Sequence, residues 1–239
     1  MEVRGHDSSA SLKRLLLLLC SRLFLFAFFQ GAAALVLSSW IETEKYWMLI
    51  ASITNIASVG LLVIYYRDEG VEYISTLRFD RELFRRDLIT SAGLFLVSIP
   101  VVLVPSYALS LWLWGDTTYY HGVLFQQLPL YLTYLLLVIF PLSIAFAELP
   151  MYFGFIMPRL SKRLRSKFWA LLLPVALLSI QHCTLPLVFD LKFIVFRGLM
   201  YLPFALVLGI ALYKRPSLLP FLAIQHGILD ALAVSMYFR

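Results

Sequence analysis

Charge is scarce in this sequence: only 14% of its 239 residues are Asp, Glu, Lys or Arg. Soluble domains carry about a quarter, so a separate soluble domain is excluded. Cysteine is scarcer still, with Cys20 and Cys183 the only two, too few for a disulfide framework or a Cys-based zinc module. Both lie in apolar runs and read as small hydrophobic side chains. There is no glycine-rich phosphate loop and no HExxH pair, which removes the P-loop and zincin classes. No run shows the sustained apolar–polar alternation of barrel strands, so a membrane barrel is excluded as well.

What the sequence has in abundance is apolar side chains, at 61% of residues, with a mean hydropathy of +0.84. Apolar runs bounded by charge fall near residues 15–39, 47–66, 88–113, 125–157, 168–185, 192–213 and 217–238. Each approaches or exceeds the roughly 20 residues a helix needs to cross a bilayer. In lipid a backbone that is not in a closed barrel satisfies its polar groups only as helix. The predicted fold class is all-α: a polytopic helix bundle with about seven transmembrane helices, forming one integral membrane domain over 1–239.

Orientation is predicted from the basic residues. With the N-terminus inside, fifteen of the twenty Lys and Arg fall on the cytoplasmic side, including Arg4, Lys13, Arg14, the Arg67–Arg86 group, the Arg159–Lys167 group, Lys214 and Arg215. Lys45, Lys192 and Arg239 fall outside. Arg22 and Arg197 lie within spans and are expected to snorkel to a helix end. Topology therefore accounts for the net charge of +6, and no nucleic-acid partner is called for; the expected setting is the cell membrane, multi-pass. The leucine run after the basic N-terminus, ending near GAAA at 31–34, has the look of a signal peptide. Arg22 and the continuation of the run past Ala34 favour an uncleaved first span.

Residues 67–87, RDEGVEYISTLRFDRELFRRD, place Val71, Ile74, Leu77, Leu83 and Phe84 at helical spacings among charges and read as a short interfacial helix. The 159–167 loop, RLSKRLRSK, has five basic residues and no acidic one, which suits anionic head groups of the lipid bilayer.

Four residues interrupt the later apolar runs. LAIQHGILDALAV, 222–234, carries His226 and Asp230; a second IQH ends at His182; Glu148 stands alone in a third run. Ionisable groups inside a membrane are costly and mark functional sites by default. At about 1.5 Å per residue from the nearest cytoplasmic charges, all four fall in the middle portion of a core about 30 Å thick. His226 and Asp230, four apart, share one helix face. A carboxylate, two imidazoles and a second acid are what water activation requires: a base for the proton and groups that stabilise an oxyanion. His182 and His226 are also the candidate ligands of a divalent metal such as zinc.

In AFAELPMYFGFIMPRL, 145–160, the chain resembles the first motif of the CPBP family of intramembrane proteases, EExxxRG followed by an apolar stretch and often PRL. Aligning on Gly154 places the first Glu on Glu148, with Leu149 and Phe153 where the family has its second Glu and its Arg. LSIQH, with Leu178 in the aromatic position, is similar to the second motif, and His226 with Asp230 to the third. The resemblance covers about 125–235, the expected catalytic core, and leaves 1–124 as accessory helices with a cytoplasmic interfacial loop. It implies an intramembrane endopeptidase acting on a membrane-anchored or hydrophobic peptide, with Glu148 as general base and His182, His226 and Asp230 holding metal or oxyanion. The loss of the second Glu and the Arg leaves an alternative, a non-catalytic membrane scaffold or immunity protein of the same fold.

Overall fold

The structure is a computed structural model that describes residues 11–238. Seven helices among them are long and apolar enough to cross a membrane: α1 (Leu12–Leu37), α2 (Trp47–Asp68), α3 (Phe84–Trp114), α4 (Leu130–Arg163), α5 (Lys167–Thr184), α6 (Leu191–Lys214) and α7 (Pro216–Phe238). No strand occurs among the described residues. The chain is thus a multi-pass all-α membrane protein, and each expected span corresponds to one helix. Arg4 and Arg239, assigned to opposite sides above, lie outside the described residues.

Two boundaries moved for identifiable reasons. The fourth span was expected from 125, but Tyr119–Leu124 forms its own short helix and α4 starts only at Leu130, after Pro129. The interfacial helix expected over 67–87 is reduced to one 3-10 turn, Tyr73–Leu77, with irregular chain on both sides. Its position follows from α4. Pro150 has no N–H to offer the Phe146 carbonyl, and the Tyr73 hydroxyl donates to that oxygen instead. From Pro150 to Ile156 α4 is wound as a π-helix before returning to α-helix at Met157–Arg163. Such widened turns sit at functional positions often enough to draw scrutiny. The Gly154 carbonyl within this segment accepts from the Tyr66 hydroxyl at 3.3 Å.

Five of the seven helices repeat one pattern, apolar core then polar residue then apolar core, and a sixth, α6, passes between the same two cores. On α1, Leu15, Leu18 and Leu19 belong to one core and Phe26 to another, with Arg22 between them. On α2, Trp47, Met48 and Ala51 join the second core and Leu62 and Tyr66 the first, separated by Asn55 and Ser58. Glu148 divides α4, Gln181 and His182 divide α5 from Leu185, and His226 divides α7 in the same way. On α6 the chain passes from Phe196 and Met200 to Phe204 and Leu208 at Tyr201, where the helix is briefly broken. The result is a polar layer between two apolar layers. The helix α3 stands apart, its surface mostly turned outward.

At the end that gathers the basic residues, ion pairs tie the helices together. Arg14 meets Asp68 at 2.9 Å, Arg159 holds Glu69, and Arg215 meets the fully buried Asp87 at 2.5 Å. Cys20 and Cys183 are both free and only partly buried; the Cys183 thiol donates to the Ile194 carbonyl at 3.4 Å.

Candidate functional site

Helices α4 and α7 approach unusually closely because Gly227 has no side chain. A Cβ there would stand 2.8 Å from the Pro141 carbonyl oxygen, closer than real atoms come. This contact puts His226, one residue before Gly227, level with Glu148, two turns beyond Pro141. His226 Nε2 lies 3.0 Å from Glu148 Oε1 and 3.5 Å from Asp230 Oδ2. The i, i+4 spacing expected from sequence thus puts Asp230 and His226 together. Phe204 stacks on the His226 ring at 5.7 Å and 17°, holding its plane.

His182 arrives from α5, which leaves α-helical geometry at Ile180 and tightens into a 3-10 turn over Gln181–Thr184. Its Nδ1 lies 2.9 Å from the Leu178 carbonyl and 3.3 Å from that of Ser179. Carbonyls only accept, so Nδ1 carries a hydrogen and, in the neutral ring, Nε2 is the acceptor. Tyr201 covers the ring at 4.2 Å. All four residues expected from sequence, Glu148, His182, His226 and Asp230, line one cavity of about 40 Å³, together with Arg197 and Tyr201. That is room for about two or three waters. Glu148 Oε1, His226 Nδ1 and Asp230 Oδ2 are buried there without a hydrogen bond of good geometry among the described residues. Unmet polar capacity around a small void is what retains water.

The two buried arginines overturn an expectation. Neither Arg22 nor Arg197 snorkels; both side chains are fully buried. Arg197 donates to the carbonyls of His182, in the last turn of α5, and of Leu185, the residue just beyond it. A cation is favourable at such a helix terminus, which explains how this one is held without a carboxylate. Arg22 turns inward because four acceptors surround it. Its Nε donates to Gln181 Oε1 at 2.7 Å, Nη1 to Ser58 Oγ at 3.1 Å, Nη2 to Asn55 Oδ1 at 2.8 Å, and Nη2 also reaches Glu148 Oε2 at 3.5 Å. Gln181 closes the ring by donating from Nε2 to Glu148 Oε2 at 2.6 Å. Asn55 continues outward to Ser143 Oγ at 3.0 Å.

Sequence reasoning missed Gln181, Asn55 and Ser58, and it saw Arg22 without seeing its role. A signal was there. Asn55 and Ser58, three apart in an apolar run, share one helix face, and Arg22 lies about 12 Å along α1 from Arg14, inside the layer that the other polar residues occupy. The network therefore draws Arg22, Asn55 and Ser58 from the first two helices, outside the region of family resemblance. The positions aligned with the missing Glu and Arg, Leu149 and Phe153, are buried in the apolar core; Phe153 packs where a Cβ on Gly209 would be 3.1 Å away.

For the divalent metal raised as a candidate cofactor, His182 and His226 were the expected ligands. No three His, Cys, Asp or Glu converge on a metal-binding geometry among the described residues. The reason is visible in the pairings. His226 Nε2 is aimed at two carboxylates instead of sharing a centre with them. Glu148 Oε2 is taken by Gln181 and Arg22, and the Arg197 guanidinium borders the cavity.

No family model matches the chain, and no curated protein or solved structure matches it.

Proposed function

We propose that the chain is an intramembrane endopeptidase of the CPBP type, acting without metal on a membrane-anchored or hydrophobic peptide. The observation that carries this reading is the convergence of Glu148, His182, His226 and Asp230 on one buried, water-sized polar cavity. Glu148 Oε1 is the base. It takes a proton from water as the water oxygen bonds to the peptide carbonyl carbon. The oxyanion formed is stabilised by the imidazole of His226, which Asp230 orients, while His182 Nε2, the acceptor of the neutral ring, takes a hydrogen bond from the attacking water. When the C–N bond breaks, Glu148 returns its proton to the leaving amine. Order, spacing and placement of the three motif-like segments support the same class.

A cavity of about 40 Å³ holds water but no peptide, so this reading requires helices to part for substrate. That closure, with Leu149 and Phe153 in place of the motif's charged pair, is what favours the second reading, a non-catalytic scaffold or immunity protein. The basic residues support an inside N-terminus in the cell membrane; reporter fusions after Arg86 and Arg215 are expected inside and one after Lys192 outside.

The deciding experiment is cleavage of membrane-anchored peptides by purified protein in lipid. Glu148→Gln is expected to lower kcat by about 10²–10⁴-fold in protein that circular dichroism shows to be still folded, and chelators are expected to leave the wild type active. Full cleavage by Glu148→Gln would remove the mechanism. A wild type that cleaves nothing, with a cellular phenotype that survives Glu148→Gln, would establish the scaffold.

A further inference from the structure

We infer that Arg22 and Gln181 are positioning residues that select which oxygen of Glu148 is reactive and keep that carboxylate ionised, so that the first helix completes the site. The inference deepens the reading of Glu148 as a base and rests on it for its kinetic consequences, though not for its structural ones.

The geometry is asymmetric about the carboxylate. Oε2 accepts from Gln181 Nε2 at 2.6 Å and faces Arg22 Nη2 at 3.5 Å. Among the described residues Oε1 faces His226, and no hydrogen bond of good geometry occupies it. The orientation of the Gln181 amide follows from its other end. Its Oε1 accepts from Arg22 Nε at 2.7 Å and from the Tyr152 hydroxyl at 3.2 Å, and two donors there leave the amide NH₂ to face the carboxylate. Arg22 thus acts on Glu148 by two routes, directly through charge and indirectly by fixing the amide that holds Oε2. With Oε2 engaged, the lone pairs that remain for a water proton are on Oε1, the side nearest His226.

Charge supports the same conclusion. Glu148 and Arg22 are both fully buried, and a carboxylate taken out of water favours its neutral form unless a cation or hydrogen-bond donors oppose that. A neutral Glu148 is no base. Asn55 and Ser58 orient the guanidinium through its two Nη atoms, so helix α2 sets where the charge stands. Leu149 and Phe153, on Glu148's own helix, supply no charge; the cation reaches Glu148 from α1.

The test uses full-length protein in lipid and infrared difference spectra, with Glu148→Gln identifying the Glu148 bands. The wild type is expected to show an ionised carboxylate with unequal oxygens. Arg22→Gln is expected to replace it with the carbonyl band of a protonated acid, absent again in the double variant with Glu148→Gln. Gln181→Met, which keeps size and charge, is expected to keep the carboxylate but change the splitting of its two stretches. In cleavage assays, Arg22→Lys and Gln181→Met should each lower kcat by about tenfold or more with KM within about twofold, the mark of a lost transition-state contribution. An ionised Glu148 in folded Arg22→Gln, or an unchanged splitting in Gln181→Met, would overturn the inference. Should Arg22→Gln fail to fold, the Gln181→Met spectrum decides. If the wild type cleaves nothing, the protease reading falls while the spectra still test the positioning role.

Discussion

The tripeptide Ile-Gln-His occurs twice, at 180–182 on α5 and at 224–226 on α7, and its two copies occupy different chemical environments. The isoleucines agree, both exposed on the outer surface. The glutamines do not: Gln181 is fully buried at the centre of the Arg22–Glu148 network, while Gln225 is only partly buried. The histidines are equally buried but differently partnered, His182 hydrogen-bonded to carbonyls of its own helix and His226 facing two carboxylates. Consecutive residues on an α-helix point about 100° apart, so Gln and His both face inward only where the helix has neighbours on two sides. Helix α5 has them at this level, with Arg22 of α1 on the Gln181 side and Tyr201 of α6 on the His182 side. On α7 the His226 side meets Glu148, and Gln225 turns away from that contact.

Exchanging the roles of the two copies is the way to break this comparison, and the largest effect is expected at the histidines. His226→Ala should lower peptide cleavage by about 10²–10⁴-fold, because it removes the imidazole that faces the base. His182→Ala should cost less, at or below the lower end of that range of about 10²–10⁴-fold, as its Nδ1 is committed to backbone. Steady-state kinetics on one membrane-anchored peptide compare them directly; equal losses would show that both imidazoles face the reacting atoms alike.

The glutamines come next. Gln181→Ala leaves Arg22 Nε and Glu148 Oε2 short of a partner and is expected to destabilise the fold by about 1–3 kcal/mol. Gln225→Ala should stay within about 0.5 kcal/mol of wild type. Thermal melting in detergent separates the two, and similar losses would mean that Gln225 carries a structural role the geometry does not display. Among the effects on rate, the smallest is expected beside the second copy. Asp230→Asn keeps an oxygen near His226 Nε2 and should lower kcat by less than about tenfold; a loss as deep as that of His226→Ala would make the Asp230 charge itself indispensable.

Legibility of the site varied with how each residue signals itself. Glu148, His182, His226 and Asp230 stood out because an ionisable group in an apolar run is costly wherever it faces. Gln181, Asn55 and Ser58 are neutral and cheaper to place in a membrane helix, so the same criterion passed over them. Arg22 was visible but its direction was not. Near a helix end, snorkelling is the default for a long cation, and only the acceptors that α2 and α5 bring around it reverse that default.

Composition and hydropathy by themselves determined that this is a seven-span helical membrane protein, because a backbone in lipid has so few ways to satisfy its hydrogen bonds. They also determined that polar groups share one depth, since rise per residue is constant along a helix. What only the tertiary structure decided is which of those groups meet. Facing is set by packing between helices distant in sequence: Gly227 against the Pro141 carbonyl, the π-wound segment after Pro150, and the 3-10 end of α5 capped by Arg197. Each changes a helix's rotation or approach by a fraction of a turn, which no periodicity along one helix records, and the Arg22–Gln181–Glu148 contact depends on all the elements that hold α1, α4 and α5 in register.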